Sequence, residues 1–332
     1  MMTLADIGEA GLIARIKAQV RPGANVLQGI GDDAAVYDMG GGRALLVTTD
    51  TMVSGEHFLP DCMPMRLVGR KAMTSSVSDI VAMNGQPECA VIALSAPGDT
   101  SVQAIEELYA GLQEGAQKYG VDLVGGDTTC SGVLAISVTI AGHAPKAKVV
   151  YRGGARPGDM LCVTGTLGAS QAGLRWLLSG RDVHDPVCQT VLKAHFDPHA
   201  RLDLIQDWQA RGVQPHALTD ISDGLATEVH NVCEASRCGA VVDVSALPVC
   251  GDTWTVATLF GEDASEYALY WGEDYELVLA LVDKDLAKLD HSTITAIGYF
   301  TASQEGVKVK HLDGSIADLP QLGWVHYSGQ AP

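Results

Sequence analysis

Between residues 100 and 120 ("TSVQAIEELYAGLQEGAQKYG") apolar side chains recur at Val102, Ile105, Leu108, Leu112 and Ala116, the spacing of one face of an α-helix. Gly120 supplies a stop, and Thr100 with Gln103 can form a capping box at the start. Helical spacing also runs through "PMRLVGRKAMTSSVSDIVAMNG" (64–85), closing on Gly85. The opening "MMTLADIGEAGLIARIKAQV" reads as an amphipathic helix. Short apolar runs predict strands at "RALLVTTD" (43–50), at "AVIALSA" (90–96), and at "VDLVGG" and "LAISVTIAGH" on either side of "GGDTT". "GGGR" (40–43) predicts a hairpin loop. This alternation of strands and helices predicts an α/β sandwich-like domain over the first 145 residues or so.

The stretch "APKAKVVYRGGARPGD" (144–159) is rich in Gly, Pro and basic residues and marks the domain boundary, giving units of 1–147 and 148–332. A second alternation follows it. Strand "MLCVTGT" leads into helix "SQAGLRWLLSG", then come a helix around 224–237, strands "AVVDV" and "YELVLAL", and strands near 294–300 and 306–312. With 332 residues, 47% of them hydrophobic, the chain can bury two cores. Its 37 glycines and 5% aromatics suit tight strand-to-helix turns.

Charge narrows the function. Acidic residues outnumber basic ones by 40 to 22, a formal net charge of -18, which argues against sequence-independent binding to nucleic acid or to an anionic membrane. A protein so negative can hold phosphates only through metal ions or oriented backbone amides. No apolar run approaches the ~18 residues of a membrane span, and the start lacks the basic, apolar, small-residue order of a secretory signal. Eight cysteines (62, 89, 130, 162, 188, 233, 238 and 250) form no CxxC pair. These features predict a cytoplasmic protein with reduced, mostly buried thiols and neither structural disulfides nor zinc.

Candidate chemistry lies in acids that stand beside Gly, Ser or Thr. Asp32 and Asp33 follow a glycine turn in "GIGDDAAV", Asp50 ends a strand in "TTDT", and Asp79 sits in the apolar helix segment "SVSDIVAM". Asp127 follows "VGG" at a strand end, and Asp220 and Asp223 stand in "TDISDGL". Any one of them taken alone reads better as a surface, turn or helix-cap residue. Together, mostly at the ends of apolar strands where α/β ligands gather, they suggest oxygen ligands for several Mg²⁺ ions holding a polyphosphate. Thr48, Thr49 and Ser222 would add hydroxyls. There is no P-loop and no kinase-type glycine-rich motif. In "HFDPHA", His195 and His199 are four apart, but the intervening Pro198 disfavours a helical metal pair, so the segment reads as a loop.

Eight segments occur in the order seen in thiamine-monophosphate kinases, which share a superfamily with aminoimidazole ribonucleotide synthetase and selenophosphate synthetase. They are "IGEAGLIARI", "GIGDDAAV", "TTDTMVSGEHF", "SDIVAM", "VGGDTT", "YRGGARPGDMLCVTGTLGASQAGL", "TDISDGL" and "GEDYELVLAL", and the resemblance extends from about residue 7 to 327. It implies a two-domain α/β (α+β) aminoimidazole ribonucleotide synthetase-like fold, in which the N-terminal domain forms the sheet of a homodimer and the C-terminal α/β domain completes the site. It implies transfer of the ATP γ-phosphoryl group to thiamine monophosphate, with no acid/base residue. By the same resemblance, Asp32, Thr48, Thr49, Asp50, Asp79, Asp127, Asp220 and Asp223 hold Mg²⁺; Tyr109, Gly126, Asp127, Arg152 and Ser222 contact ATP; and His57, Glu273 and Trp324 contact thiamine.

Two departures from the family pattern bear on the acceptor. "SDIVAMNGQPECAVIAL" replaces the usual small-residue run, and Trp271 stands where a second Gly normally precedes "GED". The competing readings are a superfamily member acting on another acceptor and a catalytically silent scaffold. Selenophosphate synthetase needs a reactive Cys near the N-terminus, whereas the first here is Cys62, and the chain ends "SGQAP" without the cysteine tail of the hydrogenase-maturation relatives.

Overall fold

The computed structural model describes residues 2–324 and Tyr327. The first part contains α1 (Leu4–Gln19), β1 (Val26–Gln28), β2 (Ala35–Gly40), β3 (Arg43–Val53), α2 (Met65–Ala82), β4 (Gln86–Ala96), α3 (Val102–Tyr119), β5 (Asp122–Cys130) and β6 (Ala135–Pro145). The second contains β7 (Met160–Thr164), α4 (Ala169–Leu178), α5 (Gln189–Phe196), α6 (Leu202–Ala210), β8 (Ala217–Asp220), α7 (Leu225–Ser236), β9 (Gly239–Asp243), α8 (Gly251–Phe260), α9 (Ala264–Tyr270), β10 (Leu277–Leu281), α10 (Asp283–Leu286), β11 (Ile294–Thr301), β12 (Val307–Lys310) and β13 (Ile316–Asp318).

Six strands make the first sheet, in the order β1-β2-β3-β6-β4-β5, antiparallel except for the β4–β5 pair. Its strands alternate as a half-covered sheet must. Ala44, Leu46, Ile92, Ile136, Val138 and Ile140 are buried, on the face that α2 covers. On the opposite face Val47, Thr49, Thr51 and Val91 are exposed. The second sheet has the order β13-β12-β9-β11-β7-β10-β8. Its strands β7 and β10 and the edge strand β8 are covered on both faces, which is why they read as unbroken apolar runs. Helix α7 packs on one side through Leu225, Val229 and Val232, while Leu218, Leu277 and Leu279 on the other side join α6 and the first sheet in one continuous core.

Helix α2 therefore lies sandwiched, with 13 of its residues buried, Lys71, Thr74, Ser75, Ser76 and Ser78 among them. Its close pairing with α3 requires glycine: a Cβ on Gly111 would stand 1.8 Å from the Arg66 carbonyl oxygen, and one on Gly69 2.1 Å from that of Leu108.

Several expectations need correcting. Helix α3 is capped by Ser101, whose Oγ accepts from the Ala104 N–H at 3.1 Å, one residue after the expected Thr100. "GGDTT" lies inside β5 rather than between strands, and β3 continues to Val53, so Asp50 and Asp127 stand within strands and not at their ends. Helix α2 ends at Ala82, and the left-handed residue is Asn84 (φ 58°), a type that tolerates this region. Helix α1 is broken at Gly8 (φ 61°) and buries no residue. His195 ends α5 instead of lying in a loop. All eight cysteines are free thiols, but only Cys162, Cys188, Cys233 and Cys238 are buried.

Candidate active site

A cavity of about 870 Å³ opens where α2, β3, the β8–α7 loop and the α9–β10 loop meet. Thr49, Asp50, His57, Asp79, Ser222, Asp223, Glu273 and Trp324 line it, with Asp220 at its floor and the apolar Phe58, Leu174 and Trp271 on its walls. Nine of the predicted site residues thus face one space, among them all three expected to touch the acceptor.

The acids are placed by different elements. Asp50 extends from β3 toward α2, where the Ser75 and Ser76 hydroxyls meet it, and burial with the nearby Asp33 still raises its carboxyl. Asp79 on α2 accepts from Thr48 Oγ1 at 2.5 Å. Its carboxyl is raised well above the ordinary range by burial and by Asp50, Asp220 and Asp33. Asp220 ends β8 and is raised by burial and Asp33. Asp223, in the loop before α7, is raised to about 7 by burial, Glu9 and Asp220. Asp32 is raised to about 6 by burial and by Asp33, although it accepts the Arg152 backbone N–H at 3.1 Å.

Strand alternation separates the two threonines: Thr48 joins Asp79, whereas Thr49 accepts from Thr139 Oγ1 at 2.9 Å across the exposed face. Tyr109, Gly126 and Asp127 do not line the cavity. Register explains the last two. Asp50 pairs with Val138, Val138 with Ile92 and Ile92 with Gly126, three strand spacings or roughly 14 Å away. Tyr109 lies on α3, half-buried against the first core.

The acids fit divalent cations in a particular way. Among the described residues no three Asp, Glu, His or Cys side chains form a ready ion cage. Yet Asp33 Oδ2 and Asp220 Oδ2 are buried without a hydrogen-bond partner, as an oxygen awaiting a cation would be. Mg²⁺ bound through one or two carboxylates and shared with phosphate oxygens suits such a set better than an all-protein cage.

Loop packing fixes the acceptor side. The Glu273 N–H donates to the Ser222 carbonyl at 2.8 Å and the Tyr275 N–H to that of Ile221 at 3.0 Å, with Glu273 and Tyr275 both at positive φ (63° and 52°). Between them Asp274 accepts from the N–H groups of Gly168 (2.8 Å) and Ser170 (3.5 Å), tying the loop to the start of α4. A Cβ on Gly272 would stand 1.8 Å from the Ser222 oxygen. Trp271, at φ -119°, has ordinary extended backbone, so a side chain is tolerated there and becomes cavity wall. The Trp324 N–H donates to the Asp223 carbonyl at 3.0 Å, bringing its indole to the same place. His57 Nδ1 accepts from the Val53 N–H at 3.2 Å.

Residues beyond the expected set complete the surroundings. Asp33 accepts from Arg152 Nη2 and, at 3.0 Å, from Thr219 Oγ1. Glu228 on α7 is buried near Arg152 and Asp223, and its carboxyl is pushed up to about 8 by burial, against the pull of Arg152. Lys71 and His195 stand behind Glu273. The pairing "DD" singled out Asp33, but Lys71 within α2 and Glu228 in the first turn of α7 carry no local signature of a site.

Residues 31–144 match the N-terminal domain and residues 156–310 the C-terminal domain of AIR synthase related proteins. The chain is 36% identical over 279 residues to the thiamine-monophosphate kinase of Aquifex aeolicus, covering 83% of this chain and 87% of that protein. It is 35% identical over 329 residues to that of Escherichia coli strain K12, covering 97% and 98%. Among solved structures, AaThiL complexed with AMPPCP and TMP superposes with a TM-score of 0.88 at 33% identity, covering 98% of this chain and 99% of that one. The hydrogenase maturation protein HypE, at 20% identity and a TM-score of 0.70, shares the fold. The chain is an enzyme of the thiamine-monophosphate kinase family, built from two AIR synthase-related domains.

Proposed function

We propose that this enzyme transfers the γ-phosphoryl group of ATP to thiamine monophosphate, forming thiamine diphosphate and ADP. The observation that carries this reading is that the acids Asp50, Asp79, Asp220 and Asp223 and the acceptor residues His57, Glu273 and Trp324 line a single cavity. A relative 33% identical binds AMPPCP together with TMP, which supports the same pair of ligands here.

The acceptor phosphate has a second pKa near ~6 and is already largely a dianion at neutral pH, so no general base is required. In an in-line transfer one of its oxygens forms a bond to the γ-phosphorus while the bond to the β-bridging oxygen breaks, and ADP leaves with that electron pair. Asp32, Thr48, Thr49, Asp50, Asp79, Asp127, Asp220 and Asp223 are the residues that would hold Mg²⁺, joined by the unpartnered oxygen of Asp33. Magnesium, when bound by these residues, would offset the negative charge of the two phosphate groups as they are brought together. Arg152 and Ser222 address the nucleotide. The Trp324 ring suits a cationic thiazolium, the indole face contributing roughly 0.5–2 kcal/mol, and Glu273 offers the same ligand a hydrogen-bond acceptor.

Tyr109, on α3, and Gly126 and Asp127, on β5, do not line this cavity within one chain. We infer that they act across a homodimer whose interface is the exposed sheet face carrying Val47, Thr49, Thr51 and Val91. A face of this kind, half apolar and half threonine, is suited to burial against a second copy. No helix among the described residues is long and apolar enough to cross a membrane.

Incubation of the purified protein with Mg·ATP and thiamine monophosphate tests the reading directly. Thiamine diphosphate and ADP should appear in equal amounts. Turnover restricted to other phosphate acceptors would move the enzyme to another substrate, and tight ATP binding with no turnover would make it a silent scaffold.

A further inference from the structure

Lys71 is the one lysine of α2, and its side chain is 0% exposed, yet it does not line the cavity. Its Nζ reaches Glu273 Oε2 at 2.8 Å, across from the first sheet's helix to a loop of the second sheet. Glu273 keeps 28% of its side chain exposed, toward the cavity it lines. Behind the same oxygen stands His195, with Nδ1 3.6 Å from Oε2 and 3.1 Å from Ser170 Oγ. Burial and Lys71 push the imidazole down to about 3, so it is neutral at physiological pH. Burial alone would raise the Glu273 carboxyl, but Lys71, together with His195 and His57, more than reverses this and holds it below its ordinary value.

These contacts leave Glu273 in an unusual condition for a residue facing a cationic ligand. Its charge is matched by a buried ammonium, so the pair presents little net charge to the cavity. One oxygen is committed to Lys71, while Oε1 has no hydrogen-bond partner among the described residues and has a fixed direction. Such a group selects for a hydrogen-bond donor more than for a positive charge, because a directional acceptor left unpaired in a closed site is costly.

We propose that Lys71 is a positioning residue that turns Glu273 into a directional acceptor for an N–H group of the phosphate-accepting substrate, so that acceptor choice depends on that donor. The inference rests on the thiamine monophosphate reading, in which the exocyclic amine of the pyrimidine is the donor available.

Steady-state kinetics on the full-length protein, comparing thiamine monophosphate with an analogue whose exocyclic amine is replaced by oxygen, tests it. Wild type should prefer the amine-bearing acceptor by tenfold or more in kcat/KM. Lys71→Met should raise the KM for thiamine monophosphate at least tenfold, leave the KM for Mg·ATP within about twofold, and reduce the preference to near unity; Lys71→Arg should recover part of it. Lys71→Met strands a buried carboxylate, and if it fails to fold, Lys71→Met/Glu273→Gln removes both charges and should show the same loss of preference. Equal rises in both KM values, or an undiminished preference, would overturn the role of Lys71 while leaving the kinase reading in place. No turnover of thiamine monophosphate by wild type would remove both.

Discussion

The backbone N–H of Glu273 donates to the carbonyl of Ser222 at 2.8 Å, so the loop proposed to meet the acceptor is built directly upon the loop proposed to meet the nucleotide. Gly272 makes this approach possible, since a Cβ there would fall 1.8 Å from the Ser222 oxygen. Gly224 closes the joint from the other side, at φ 122° and with the Tyr270 and Trp271 backbone 2.9–3.1 Å from where its Cβ would be. Gly272→Ala must therefore part the two loops. It should lower kcat/KM for both substrates by a hundredfold or more, because each loop loses the support of the other. A variant impaired toward only one substrate would show that the loops act independently.

Asp79 ionises only against a cost: it is buried on α2 among Asp50, Asp220 and Asp33, with Thr48 as its hydrogen-bond partner. Asp79→Asn retains the shape and removes the repulsion. In the absence of Mg²⁺ the variant should melt at or above the temperature of wild type, while turnover falls by at least a hundredfold and the gain in melting temperature on adding Mg·ATP shrinks. Near-full activity would remove Asp79 from the reaction.

Stability should depend on pH with a definite sign. Burial raises Glu228 to about 8 and Asp274 to about 7, against about 4 for an unfolded carboxylate. Between these limits the folded state holds protons that the unfolded state has released, so stability is full below about pH 4 and is lost as pH rises toward 8. His195 acts in the opposite sense and lower down: its imidazole titrates at about 3 when folded and near ~6.5 when unfolded, which costs stability as pH falls below ~6.5. Comparing wild type with Glu228→Gln isolates one group. The variant should lose less melting temperature between pH 6.5 and 8.5 and be the more stable at pH 8. Parallel curves would show that Glu228 is ionised throughout.

What could be read in the sequence was what local pattern encodes. The alternation in β3 and β6, the apolar face of α3 and the acids beside small residues all announced themselves, and the acids from four separate segments do meet. Two kinds of feature were hidden. Helix α2 looks like a surface helix with scattered polar residues, but its second layer of packing comes from elements more than a hundred residues later, so the burial of Lys71 and its pairing with Glu273, 202 residues away, have no local trace. Strand ends were misplaced for a related reason. Thr and Asp suggest termination by propensity, yet β3 and β5 continue through "TTDT" and "GGDTT" because neighbouring strands supply the hydrogen bonds.

The same continuation makes Asp127 the sharpest test of assembly. On the edge strand β5 it is exposed, and Gly126 beside it pairs through Ile92 and Val138 to Asp50, about 14 Å along the sheet. If Asp127 serves the cavity of a second copy, the inactive variants Asp127→Asn and Asp223→Asn place both of their defects in the same site of a mixed dimer. Each mixed dimer then retains one site with both residues intact. Mixing the two under conditions that exchange subunits should restore about a quarter of wild-type activity, since half the dimers are mixed and half of their sites are whole. No recovery, with exchange shown independently by mass, would place both residues in the service of the same chain's site and leave the exposed sheet face without a part in catalysis.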